Sequence, residues 1–151
     1  MNEMSNNKLQ LALLAAFMLA LNTWGASAQS AEIVVYKSPT CGCCKNWVAH
    51  MRQNGHSVKT QDIDDLEQIK TMAGVPELFR SCHTAMVDGY VIEGHVPAKD
   101  VERLLKDRPK ARGISVPGMV NGSPGMEQGK PEPYDVILFK SNGSSSVYAR
   151  Y

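Results

Sequence analysis

The sequence predicts one α/β domain with the element order βαβαββα, followed by a Pro/Gly-rich loop and an additional C-terminal β-hairpin. Three observations predict it. Ile33-Val34-Val35-Tyr36 is an apolar, β-branched run and reads as a strand. Cys44, Trp47, Val48 and Met51 recur at i, i+3, i+4 and i+7, which marks one face of a helix. Asp88-Gly89 separates Thr84 to Val87 from Tyr90 to Glu93, and that dipeptide favours a two-residue hairpin turn.

The chain begins with a segment that reads as a leader rather than as part of the fold. Lys8 precedes an apolar run from Leu9 to Leu21, too short to cross a bilayer. Ala26-Ser27-Ala28 fits the small-residue cleavage pattern, so residues 1–28 are expected to be a signal peptide. A domain over residues 29–151 would remain, with no stable membrane anchor. Net charge is +1 and stays +1 without the leader. No basic stripe points to nucleic acid and no acidic block points to a tail.

Taken in order, Glu32 to Lys37 is the first strand; its continuous apolar character suggests burial on both faces. Helix one spans about Cys41 to Asn54, with Thr40 as N-cap and Gly55 as its C-terminal stop. Ser57 to Gln61 is a second strand. Asp64 and Glu67 make a capping-box pattern ahead of a short helix on Leu66, Ile69 and Ala73, which stops at Gly74. Pro76 to Phe79 is a further turn, and the Asp88-Gly89 hairpin follows. Pro97 opens a third helix whose apolar face is Val101, Leu104 and Leu105. This order is the thioredoxin-like arrangement. Ile114 to Asp135 reads as an ordered loop. Asp135 to Phe139 and Ser146 to Ala149, joined through Asn142-Gly143, form the last hairpin.

The chemistry concentrates in Thr40-Cys41-Gly42-Cys43-Cys44-Lys45, which holds three of the four cysteines. A helix N-terminus favours thiolate, the form that exchanges disulfides and binds soft metals. In a thioredoxin-like fold the loop before the third strand passes beside that helix end, which would bring Cys82 and His83 to the cluster. His95, just before the third helix, would lie at the same end of the sheet. Thiolate, thioether and imidazole together favour copper over magnesium or calcium. Met51, Met86 and Trp47 read as core, and His50 and His56 as surface residues. Met119 and Met126 each follow Pro-Gly in a turn with little core to fill, so each is either a ligand or a cover over the site. Two other readings stay open: a redox Cys-x-x-Cys pair made by Cys41 and Cys44, and a structural zinc site.

Cys41-Gly-Cys-Cys-Lys45, Ser81-Cys-His-Thr84, Glu93-Gly-His-Val-Pro97, and Val116-Pro-Gly-Met119 with Gly122-Ser-Pro-Gly-Met-Glu127 resemble the CopG-type periplasmic copper-resistance proteins, formerly a domain of unknown function. The resemblance runs from about Glu32 to Tyr151. Val120 departs from it, since proline would be favoured there. It implies a thioredoxin-like fold, a periplasmic location, and a copper site at the Cys-x-Cys-Cys loop serving copper tolerance by interconverting Cu(I) and Cu(II). Cys41, Cys43, Cys44 and Cys82 are then the main expected ligands, with His83, His95, Met119 and Met126 as secondary ones. So many soft donors can hold a multinuclear cluster. Copper ions and other periplasmic copper-handling proteins are the partners this implies. The alternative is a thiol–disulfide oxidoreductase using Cys41 and Cys44.

Overall fold

The structure is a computed structural model and describes residues 31–151; the expected leader and its cleavage point lie outside the described residues. The elements are β1 (Ile33–Lys37), α1 (Gly42–Gln53), β2 (Val58–Asp62), α2 (Leu66–Ala73), a 3-10 turn (Glu77–Phe79), β3 (His83–Val87), β4 (Tyr90–Glu93), α3 (Ala98–Asp107), β5 (Gly113–Ser115), β6 (Asp135–Phe139) and β7 (Ser145–Arg150). The expected α/β class is found, and the element order is as expected through α3. All strands join one seven-stranded sheet in the order β2-β1-β3-β4-β5-β6-β7. β1 runs parallel to β2 and antiparallel to β3, and β3 pairs antiparallel with β4, which is compatible with a thioredoxin-like arrangement.

The register fixes two faces. Ile33, Val35, Ala85, Ile92, Ile114 and Leu138 share one face, where they pack against Trp47, Val48 and Met51 of α1 and Val101 and Leu104 of α3. Val91 and Phe139 face the other way and pack with Ala73, Val75 and Phe79 beneath α2. Trp47 is fully buried and its indole N–H donates to the Val96 carbonyl at 2.8 Å. Truncating such a residue to alanine costs about 3–5 kcal/mol.

Local caps differ from expectation in detail. Cys41, not Thr40, is the N-cap of α1, and its Sγ accepts from the Cys44 N–H at 3.3 Å. A cysteine is a weak cap, so sequence preference pointed one residue early. The helix ends as expected at Gly55, with the His56 N–H on the Met51 carbonyl and the Gly55 N–H on Arg52. Asp65, not Asp64, caps α2 through the Gln68 N–H. Asp88 and Gly89 both have positive φ, as a type I′ turn requires.

The largest difference is β5. The stretch after α3 reads as loop from Ile114 onward, yet Gly113–Ser115 pairs with both β4 and β6 and makes the last hairpin continuous with the sheet. Three residues are too few to show a strand period. Gly113 is obligatory there, because a Cβ would come 1.9 Å from the Val91 carbonyl oxygen.

Candidate metal centre

The N-terminus of α1, the loop entering β3 and the turn leaving β4 meet at one end of the sheet. Cys41 caps α1; Cys43 and Cys44 follow in its first turn. The Cys41, Cys43, Cys44 and Cys82 sulfurs all lie within 4.8 Å of one another. Cys41 and Cys44 are joined as a disulfide, while Cys43 and Cys82 are free thiols. Cys43 Sγ is 3.4 Å from Cys41 Sγ and 3.9 Å from Cys82 Sγ, and Cys82 Sγ is 3.5 Å from Cys44 Sγ.

A second group shares Cys82. His83 and His95 each offer a ring nitrogen within 4.8 Å of its sulfur and of each other. His95 Nε2 is 2.9 Å from Cys82 Sγ and His83 Nδ1 is 3.4 Å from it. His95 Nδ1 lies 2.8 Å from the Pro124 carbonyl, which can only accept, so Nδ1 carries the proton and Nε2 keeps its lone pair toward the sulfur. His83 is wholly buried, edge-on to His95 and against the Trp47 ring. Its Nε2 has no hydrogen-bond partner. A buried polar nitrogen left bare is costly in a core; the ring nitrogen that faces the Cys82 sulfur is the other one, Nδ1.

Burial sets the protonation of these groups. It pushes the Cys82 thiol up to about 12, and the neighbouring Cys43 adds to the rise. It also holds His83 well below, and His95 below, the ordinary imidazole range. The imidazoles are therefore neutral at physiological pH and able to bind metal. A soft cation would have to displace the Cys82 proton. The free Cys43 and Cys82 sulfurs with the two imidazoles, joined by Cys41 and Cys44 when their disulfide is reduced, fit copper or another soft ion.

Six of the eight anticipated donors thus converge. Met119 and Met126 are placed by their backbones. Gly118 pairs with Ser81, whose hydroxyl donates to the Gly118 carbonyl, so Met119 follows directly on the Cys82 loop and is half-exposed. Gly125, with φ of 85°, packs on α1 so closely that a Cβ would meet the Trp47 nitrogen at 2.7 Å and the Cys43 carbonyl oxygen at 2.8 Å. The second Pro-Gly-Met unit therefore lies on the helix start.

Sequence reasoning placed two histidines wrongly and missed a buried network. His50 and His56 are not surface residues: both are partly buried, and His50 Nε2 accepts the Ala98 N–H at the start of α3. The network joins Lys70, Thr84 and Glu93, all buried. Lys70 falls on the Leu66/Ala73 stripe of α2 and Glu93 ends an apolar strand, so charges at core positions were the available signal.

Fold and site together define an α/β protein with a cysteine–histidine cluster able to hold a soft metal ion. The family described as "Protein of unknown function, DUF411" matches residues 79–126. Two solved structures, "Copper resistance protein copG" Form 1 and Form 2, are each 41% identical, with TM-score 0.77 over 81% of this chain and 98% of theirs. No curated protein matches the chain. The chain belongs to the copper resistance protein CopG family.

Proposed function

We propose that this protein is an exported, periplasmic copper-binding protein of copper resistance. Once a two-electron thiol reductant has opened the Cys41–Cys44 disulfide, it binds Cu(I) through Cys41, Cys43, Cys44 and Cys82, with His83 and His95 completing the set and Met119 and Met126 as further thioether donors. The observation that carries the reading is that four sulfurs and two imidazoles meet around the shared Cys82. Thiolates stabilise Cu(I) while imidazole accepts Cu(II), so a mixed set supports interconversion of the two states. Export is tested by mass spectrometry of the periplasmic protein: Gln29 as the first residue agrees, and an intact Met1 in the membrane fraction does not.

One observation favours a second reading. The Cys41–Cys44 disulfide at the start of α1 is the arrangement of a thiol–disulfide oxidoreductase. A reductase assay on a disulfide substrate, with and without copper chelation, separates the two. Copper-independent activity that needs only Cys41 and Cys44 would favour the second; its absence, with tight copper binding, supports the first.

A further inference from the structure

Glu93 lies at the end of β4, two residues before His95, and its carboxylate is fully buried. Three donors from three segments converge on it. Lys70 of α2 donates to Oε1 at 2.7 Å, the Ser81 backbone N–H donates to Oε1 at 2.7 Å, and the Thr84 hydroxyl donates to Oε2 at 2.7 Å. Lys70 also donates to the Thr84 hydroxyl at 3.1 Å. Thr84 and Glu93 are directly paired across the β3–β4 hairpin, so both side chains lie on the α2 face of the sheet. His83 lies on the opposite face, against Trp47. The network's hydrogen bonds therefore reach the donor residues only through the backbone.

Stability alone does not explain it. A buried ion pair is often replaced by apolar side chains of the same volume without loss. What an apolar pair cannot supply is the acceptor for the Ser81 N–H. That group immediately precedes Cys82, and Thr84 immediately follows His83, so the carboxylate grips both ends of the Cys82-His83 dipeptide. Ser81 passes the constraint on, since its hydroxyl donates to the Gly118 carbonyl beside Met119.

We propose that Glu93, held by Lys70 and Thr84, is a positioning residue of the copper site: its carboxylate fixes the Ser81–Thr84 segment so that Cys82 and His83 meet His95 as one donor set. The inference rests on the copper-binding reading above. It assigns the network a task in metal geometry that a merely structural ion pair would not have.

Two uncharged pairs of variants isolate that task. Lys70→Met with Glu93→Gln keeps an amide oxygen for the Ser81 N–H. Lys70→Met with Glu93→Leu removes the acceptor and keeps similar volume. Each is reduced, loaded with Cu(I), and titrated against a colorimetric Cu(I) chelator, with X-ray absorption at the copper edge counting sulfur and nitrogen neighbours. The glutamine pair should hold copper close to wild type. The leucine pair should fold, by circular dichroism, and bind about 10–100-fold more weakly, as loss of an outer hydrogen-bond partner does elsewhere, with fewer nitrogen neighbours on copper. Equal affinity and equal spectra in the two pairs overturn the proposal. If the leucine pair does not fold, Thr84→Val takes its place: it removes one donor to the carboxylate at constant volume, and wild-type affinity with a wild-type spectrum there overturns the proposal. A wild-type protein that binds no copper removes the functional reading itself, an outcome distinct from silent variants in a copper-binding wild type.

Discussion

Cys82 Sγ stands 2.9 Å from His95 Nε2, across a hairpin that separates the two residues by 13 positions. The β3–β4 register accounts for this: Cys82 enters β3 beside the place where His95 leaves β4, and the Gly94 N–H closes the pair by donating to the His83 carbonyl at 3.0 Å. Because Cys82 also touches Cys43 and Cys44, it is the atom through which the sulfur group and the imidazole group become one site.

The two Pro-Gly-Met units give a graded prediction. Met119→Leu and Met126→Leu keep apolar volume and remove only the thioether. If the sulfurs bind copper, each variant should lower Cu(I) affinity, but less than loss of a thiolate, because a neutral thioether is the weaker donor. A competition titration measures it. Silence in both variants assigns the methionines to covering the site.

Gly125→Ala tests whether the second unit holds the site shut. The added Cβ would press on the Trp47 nitrogen and the Cys43 carbonyl in a backbone conformation that L residues rarely adopt. Stability should fall by about 1–3 kcal/mol. The Pro124 carbonyl should also leave His95, with copper affinity lower by about 10–100-fold. Gly143→Ala is the control: its φ is 84°, but nothing lies within 4 Å of the added atom. It should cost stability without touching copper.

Acid should destabilise the metal-free protein in a definite window. Burial lowers the folded pKa of His83 and His95, so between those values and the unfolded value of about 6.5 the unfolded chain binds more protons. Stability is then full above about pH 6.5 and is lost as pH falls, by up to about 1.4 kcal/mol per pH unit for each group. His83→Gln should flatten the slope. Denaturant unfolding in chelator at a series of pH values reads it, and an unchanged slope would place the titrating groups elsewhere.

Much of this was legible in the residues. The stripe Cys44, Trp47, Val48, Met51 and the turn Asp88-Gly89 each follow from a local rule, and both are found where expected. With those elements in order, topology brings Cys82 to Cys43 although 39 positions separate them. What escaped was either too short or too distant. β5 has three residues and exists only because β4 and β6 flank it. The acceptor that orients His95 is a backbone carbonyl, which leaves no mark on residue type. Lys70 and Glu93 were visible as charges at core positions, but their pairing depends on α2 lying over β4, which only the fold supplies.

The most direct measurement is copper bound per chain, in the reduced protein and in its Cys82→Ser variant, by Cu(I) competition titration with metal analysis. Serine keeps the size of cysteine and loses the soft donor. Wild type should bind Cu(I) tightly. In the variant, copper per chain and affinity should both fall while circular dichroism is unchanged. Wild-type stoichiometry and affinity in Cys82→Ser would contradict this, because the sulfur that joins the two donor groups would then have no part in holding the metal.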